Sequence, residues 1–312
     1  MCLAKNYIHK AVMKNEVMSL LKVSSNKVYF DATLGGGGHS REILERGGIV
    51  IATDLDDDAI ENAELLKGEY KERFFPVKGN FKDGVEILKK VGFERVDGVV
   101  ADLGLSSNQI ENGLRGFSFI RRGPLDMRFD RSTNPVTAYS LLQRVEVSDL
   151  ATCLRQFADI CKAERIAQYI KEYFVKNCQD DTVEFANYLR RCKYIPKSTR
   201  IDPVTKIFMA IRMMVNDEIN NLKTFLLNLP FMMKNDSVAL VITFHSAEDR
   251  ITKNIFRDFV KKEFIAAGEC NLLAKLINKK IITPSAQEVR DNPRSRSAKL
   301  RGIHFFIKPE EV

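Results

Sequence analysis

The first hundred or so residues alternate strand-like and helix-like segments in a strict order, and few folds accept that pattern. The short apolar runs KVYFDAT (27–33), IVIATD (49–54), FFPVKGN (74–80) and VDGVVADLG (96–104) read as buried strands. Between them, SREILERG (40–47), DDAIENAELLKGEY (57–70) and DGVEILKKVG (83–92) read as helices. The second of these carries acidic residues in its first turn, as the helix dipole favours. A β-α-β-α-β-α-β order requires parallel strands joined by right-handed crossovers. The expected fold class is therefore α/β, with a doubly wound, Rossmann-like sheet.

After Asp102 the pattern changes. Residues 103 to about 135 are rich in Gly, Arg, Ser and Asn and read as functional loop. The signals then become helical only: VTAYSLL, SDLATCLRQFADI, AERIAQYIKEYFV and TVEFANYLRRC. IPKSTRIDP (195–203) breaks the run, and residues 204–229 read as one long amphipathic helix or two. Strand signal returns at SVALVITFH (237–245) and GIHFFIK (302–308). The sheet domain is thus expected over 1–107 and 206–312, interrupted by an all-helical domain over 108–205. A helical cap at a sheet's carboxyl edge is well placed to cover a site there.

The chain has 312 residues, of which 45% are hydrophobic and 29% charged, as a globular protein would. No apolar run approaches the roughly 18 residues of a membrane helix. The N-terminal stretch lacks an apolar signal core, so a cytoplasmic location with no membrane partner is expected. The six cysteines form no CxxC and no zinc-spaced cluster, which points to reduced, mostly buried thiols and no metal site. The net charge of +8 suits a polyanionic partner, and RGFSFIRRGPLDMRFDR and RDNPRSRSAKLR concentrate arginine.

YFDATLGGGGHSREIL (29–44) places four glycines between a strand and a helix. Such loops let a ligand lie against bare backbone at a helix N-terminus. A phosphate-binding P-loop needs a lysine after the glycines, and GGGGHS has none. A dinucleotide motif wants a third glycine where Ser40 stands. An adenosyl cofactor with an amino-acid tail is the third class such loops serve, and a tight turn that holds no ligand is the other reading. Asp54 ends the second strand about 20 residues beyond the loop, where a carboxylate can accept both ribose hydroxyls or cap the next helix. Phe81 follows the third strand, where it could stack on adenine or serve the core. Asp102 ends the fourth strand. The crevice outside the sheet would collect Gly37, Asp54, Phe81 and Asp102.

TLGGGGHS, DLGLSSNQI, RGFSFIRRGPLDMRFD, VNDEI, FHSAEDR and NPRSRSAKLR together resemble the bacterial ribosomal RNA small-subunit methyltransferase H family, also called MraW, from His9 to about Arg301. The resemblance implies a class I methyltransferase sheet with an inserted helical domain. It implies methyl transfer from S-adenosylmethionine to N4 of a cytidine in 16S rRNA, at the decoding centre of the small subunit. It also implies cofactor contacts from Gly37, Gly38, His39, Asp54, Phe81, Asp102 and Gln109. Some positions depart from the family pattern: Ala247 stands in place of Leu, Lys162-Ala163-Glu164-Arg165 in place of Gly-Glu-Glu-Arg, and DPVTKIFMAIRMM in the long helix. The latter two lie away from the glycine loop and bear more on RNA contacts than on the cofactor.

The expected reaction is an in-line displacement with a good leaving group, so alignment should carry most of the catalysis. Asp102 is the candidate catalytic residue, orienting the target amine or the cofactor's methionine part, with Ser106 and Ser107 as second candidates. His39 reads as a cofactor contact or cap rather than a general base. Arg115, Arg121, Arg122, Arg128, Arg294, Arg296, Lys299 and Arg301 are the candidate RNA contacts, with His245 on the substrate side. Phe117 and Phe119 could stack on a base or pack in a core. Asp249 and Arg250 could pair with each other. A DNA amino methyltransferase is the first rival, disfavoured because no Pro-Pro-aromatic step follows Asp102. A non-catalytic rRNA-binding assembly factor is the second, disfavoured by the intact glycine loop, Asp54 and Asp102. The sequence leaves a homodimer open.

Overall fold

A computed structural model describes residues 11–176, 179–195, 202–261, 264–266 and 270–307. His9, Cys2, Cys178, Lys308 and the 196–201 part of the proline-bearing segment lie outside the described residues. The chain forms two compact units, one of Met1–Gly104 with Asn220–Val312 and one of Leu105–Ile219.

In chain order, the first unit opens with α1 (Lys14–Leu21), β1 (Val28–Asp31), α2 (Gly38–Glu45), β2 (Ile49–Asp54) and α3 (Asp57–Tyr70). It continues with β3 (Phe74–Lys78), α4 (Gly84–Lys90) and β4 (Val96–Asp102). The helical unit holds α5 (Ser107–Glu111), α6 (Ala138–Arg144), α7 (Val147–Ala158), α8 (Ala163–Lys176), α9 (Thr182–Arg190) and α10 (Pro203–Val215). Then follow α11 (Glu218–Met232), β5 (Met233–Thr243), α12 (Ser246–Val260), β6 (Phe264–Ala266), β7 (Cys270–Leu276), α13 (Ala286–Asp291) and β8 (Lys299–Ile307).

The strands form a single sheet in the order β3-β2-β1-β4-β5-β8-β7-β6. β1 through β5 pair in parallel, whereas β8 runs antiparallel between β5 and β7. The doubly wound expectation is borne out. The hairpin of β6 and β7 is an addition. Leu272, Leu273 and Leu276 suit helical as well as strand spacing, so that stretch carries no clear strand signal.

The central strands are buried on both faces, as parallel strands must be. Phe30, Ile51 and Val99 pack on one face against Leu222, Phe225 and Leu229 of α11 and Phe256 of α12. Tyr29, Val50 and Val100 pack on the other against α1 and α2. Each such buried side chain contributes about 1.5–3 kcal/mol of transfer free energy. Strand order reverses between β1 and β4, so the carboxyl ends of these two strands flank the crevice where ligands of such sheets bind.

The helical unit ends at Ile219 rather than at 205 because α10 belongs to it: Ile207, Phe208 and Ile211 lie in its core with Leu150, Ile166 and Phe185. The long helical stretch divides into α10 and α11 at Asn216–Asp217, where Asp217 adopts a left-handed φ of 50°. Cys153 and Cys192 are buried in this unit and Cys161 is exposed. Among the described residues no helix is long and apolar enough to cross a membrane.

Candidate active site

The glycine loop connects β1 to α2. Gly35 and Gly37 take positive φ angles of 48° and 74°, a region that L side chains avoid. A Cβ on Gly37 would stand 2.7 Å from Leu66 Cδ1, and one on Gly38 would stand 2.9 Å from Ala11 Cβ. These glycines therefore answer first to the turn itself and to packing against Leu66 and Ala11. Gly37 donates its N–H to Leu34 O at 2.7 Å, closing the turn.

Asp54 holds this loop from the neighbouring strand. Its Oδ2 accepts the Gly35 N–H at 2.8 Å and its Oδ1 accepts the Asp56 N–H at 3.0 Å. The cap of α3 is Asp56, which accepts from the Asp58 N–H, so Asp54 is not the helix cap. Asp54 keeps partial surface exposure. Burial nevertheless pushes its carboxyl up to about 6, against the lowering effect of the two N–H donors.

Beneath the loop lies a carboxylate that the motif reading passed over. Asp31 ends β1 and is 1% exposed. Its Oδ2 accepts the Ser40 hydroxyl at 2.7 Å and its Oδ1 accepts the Thr33 N–H at 3.2 Å. Thr33 Oγ1 in turn accepts the Asp102 N–H at 2.7 Å. Burial raises the Asp31 carboxyl, offset in part by His39 and Ser40.

The His39 imidazole is buried, with Nε2 3.5 Å from Asp102 Oδ2. Burial opposes its charge, but the neighbouring Asp102, Asp31 and Glu42 carboxylates outweigh burial and hold its proton above the usual histidine range. Neither ring nitrogen of His39 has a hydrogen-bond partner, and neither has Asp102 Oδ1. Buried polar atoms left in this state are uncommon and suit a ligand that supplies the missing partners. Glu288 also reaches this region, accepting the Met13 N–H at 2.7 Å. It is raised by burial and by Asp102, and lowered by His39.

Phe81 stands after β3, its ring edge-to-face with Phe225 at 5.2 Å, so part of its surface serves the core. His245 caps α12. Its Nδ1 accepts the Glu248 N–H at 3.3 Å, which puts the ring proton on Nε2, 2.9 Å from Glu248 Oε1. Glu248 Oε2 returns to the Phe244 N–H at 2.9 Å. Nδ1 serves as the helix cap and the side chain is only 8% exposed, so His245 acts first as a cap, although its Nε2 makes no hydrogen bond. Asp249 pairs with Arg301 at 2.7 and 3.1 Å rather than with Arg250, and Lys299 Nζ lies 3.6 Å from the same carboxylate. Arg294 and Arg296 are exposed.

In the helical unit, RGFSFIRRGPLDMRFDR folds back on itself. Arg115 is 3% exposed and donates to the Arg128 and Phe129 carbonyls at 3.1 Å each. Arg128 grips Asp126 with a fork at 2.7 and 2.9 Å. These two arginines are internal struts, which corrects the expectation of RNA contacts. Gly116 has φ 74°, and a Cβ there would stand 2.3 Å from Pro124 O. Asn216 ties the same loop, accepting the Phe129 N–H and donating to Met127 O, both at 2.7 Å. Phe117 stacks on Phe129 and Phe119 meets Phe208 edge-on at 4.9 Å, so both serve packing. Arg122 pairs with Asp181 and Glu184 at 2.9 Å each, and Arg121 reaches Glu111 O at 2.6 Å. Gln109 and Ser106 form a reciprocal capping box on α5. Ser106 is thus a cap, and the Gln109 Oε1 accepts its N–H at 3.0 Å.

The chain is similar in sequence to known proteins. Ribosomal RNA small subunit methyltransferase H of Carboxydothermus hydrogenoformans is 38% identical over 305 residues, covering 95% of this chain and 97% of that protein. The protein of the same name from Rickettsia africae is 39% identical over 302 residues, covering 94% and 96%. A solved rRNA methylase from Streptococcus thermophilus aligns over 98% of this chain and 99% of its own, at 8% identity and a TM-score of 0.42, too loose a likeness to carry weight. The MraW methylase family model matches residues 6–306, and the chain belongs to that family.

Proposed function

We propose that the chain transfers a methyl group from S-adenosylmethionine to N4 of a cytidine in 16S rRNA, at the decoding centre of the small subunit. The observation that carries the cofactor half is the pair of buried, unpartnered groups at the switch point, His39 and Asp102 Oδ1, beside the glycine loop. A cofactor with an α-amino-acid tail supplies an ammonium donor for Asp102 and a carboxylate acceptor for His39, and no phosphate-binding lysine is required. Asp54 lies one strand away, where its carboxylate can receive ribose hydroxyls, and Phe81 can offer a ring face to adenine. Family membership and the names of the relatives support the ribosomal RNA half.

When bound, the sulfonium supplies an electrophilic methyl with a neutral thioether as leaving group. The work left to the chain is alignment and acceptance of charge. The glycine loop and Asp54 hold the cofactor. Asp102, kept in place by Thr33 through its N–H, presents Oδ1 as an acceptor at the carboxyl end of β4. His39 beside it offsets the charge of the carboxylate. Exposed Arg294 and Arg296, with Arg121, are the arginines best placed to meet phosphate. Incubation with methyl-labelled S-adenosylmethionine and, in turn, small subunits, bare 16S rRNA and DNA tests the reading. Label in a cytidine of the rRNA supports it, and label in DNA alone contradicts it.

A further inference from the structure

We infer that Asp31 is a positioning residue that, through Ser40 and Thr33, fixes both members of the His39–Asp102 pair for cofactor binding; this rests on the S-adenosylmethionine reading above. Asp31 ends β1, the strand at which the sheet order reverses. Its two oxygens point to different elements. Oδ2 takes the hydroxyl of Ser40, in the first turn of α2, at 2.7 Å, and Ser40 is fully buried. Oδ1 takes the Thr33 N–H at 3.2 Å, and Thr33 Oγ1 takes the Asp102 N–H at 2.7 Å. One carboxylate therefore anchors the residue next to His39 and, through one intermediary, the backbone of Asp102.

The need for such an anchor follows from the pair itself. The His39 nitrogens and Asp102 Oδ1 make no hydrogen bonds of their own. The 3.5 Å separation of Nε2 and Oδ2 is too long to lock either side chain. Their placement is inherited from the segments that carry them, and Asp31 is linked to both: to α2 through the Ser40 hydroxyl and to Asp102 through Thr33, alongside the pairing of Asp102 with Ile242 of β5. A buried carboxylate is costly unless its lone pairs are met. Here they are met by the two segments that carry the functional groups. The serine at position 40 follows from the same requirement, because a glycine there would offer no hydroxyl to Asp31.

The test uses the full chain and four proteins: wild type, Ser40→Ala, Asp31→Asn and the double variant. Ser40→Ala removes only an oxygen, and Asp31→Asn keeps the shape, so both are mild enough to fold. S-Adenosylmethionine binding is measured by calorimetry, with KM for S-adenosylmethionine, KM for the small subunit, kcat and Tm alongside. Ser40→Ala should raise Kd and KM for S-adenosylmethionine roughly tenfold, the scale of one hydrogen bond to a charged group, while KM for the small subunit stays unchanged. The double variant should bind no more weakly than Asp31→Asn, because both changes cut the same link. A lower Tm with unchanged S-adenosylmethionine affinity in Ser40→Ala would make the contact merely structural and overturn the inference. Unchanged affinity at unchanged Tm would overturn it as well. A wild-type chain that binds no S-adenosylmethionine would instead sink the cofactor reading itself.

Discussion

His39, in the first turn of α2, and Asp102, at the carboxyl end of β4, face each other at 3.5 Å, both largely buried, and Asp102 Oδ1 is left without a partner. A carboxylate half neutralised by a neighbouring imidazole, with one oxygen still open, is suited to receive an amine. Asp102→Asn keeps the shape and removes the anion. We expect methyl transfer to fall on the order of a hundredfold or more, with Tm little changed. Full methylation with unchanged cofactor affinity in Asp102→Asn would remove Asp102 from the mechanism.

Asp54 gives the site a pH dependence of known sign. Its folded carboxyl, at about 6, lies above its ordinary value of 3.8. The folded state thus prefers the protonated form, and that contribution is full below the unfolded pKa and is lost as pH rises through about 6. Relative to Asp54→Asn, the wild-type Tm should therefore decline as pH climbs from 4 toward 7. On the ribose role proposed for Asp54, cofactor binding should move the opposite way, strengthening above about 6 as its carboxylate ionises. Parallel Tm curves for the two proteins across that interval would show that Asp54 does not titrate there.

The arginines separate into two groups with different signatures. Arg115→Ala leaves the Arg128 and Phe129 carbonyls without their buried donor and should cost about 2–4 kcal/mol of stability. Loss of RNA binding in that variant should track unfolding, as read by circular dichroism. Arg294→Ala and Arg296→Ala, at exposed positions, should lower Tm far less than Arg115→Ala does. Each should also reduce the slope of log affinity against log salt by roughly one. An unaltered salt slope would place the RNA on another face.

Gly37 tests how the glycine loop is built. Alanine there must adopt a φ of 74° and place its Cβ 2.7 Å from Leu66 Cδ1. Thermal unfolding should show a loss of about 1–2 kcal/mol, along with weaker cofactor binding. The positive φ means the fold itself is affected. Wild-type Tm in Gly37→Ala would contradict that conclusion.

Much of this was legible in the sequence, for identifiable reasons. Parallel strands are apolar throughout, and IVIATD and VDGVVADLG gave β2 and β4 to within a few residues. Strand ends follow directly from strand positions, so the sequence puts Asp54 and Asp102 at the carboxyl ends of β2 and β4, where they stand. Asp31 escaped notice because YFDAT reads as an apolar run that happens to contain one acid; only its burial against Ser40 reveals its use. The arginine-rich loop misled for the opposite reason. Charge is visible in a sequence but its partners are not, and Arg115 and Arg128 spend theirs on Phe129 O and Asp126. His245 shows the same limit: a histidine at a strand end reads as substrate-facing until its Nδ1 is seen capping α12 through the Glu248 N–H.

The most direct test of the central claim is nucleoside mass spectrometry of 16S rRNA from small subunits incubated with this protein and methyl-labelled S-adenosylmethionine. The subunits should come from cells that lack the corresponding activity. Labelled N4-methylcytidine at a single decoding-centre position, present with wild type and lost with Asp102→Ala, is the predicted result. Label on another base or on ribose, or N4-methylcytidine that persists undiminished with Asp102→Ala, would contradict the account.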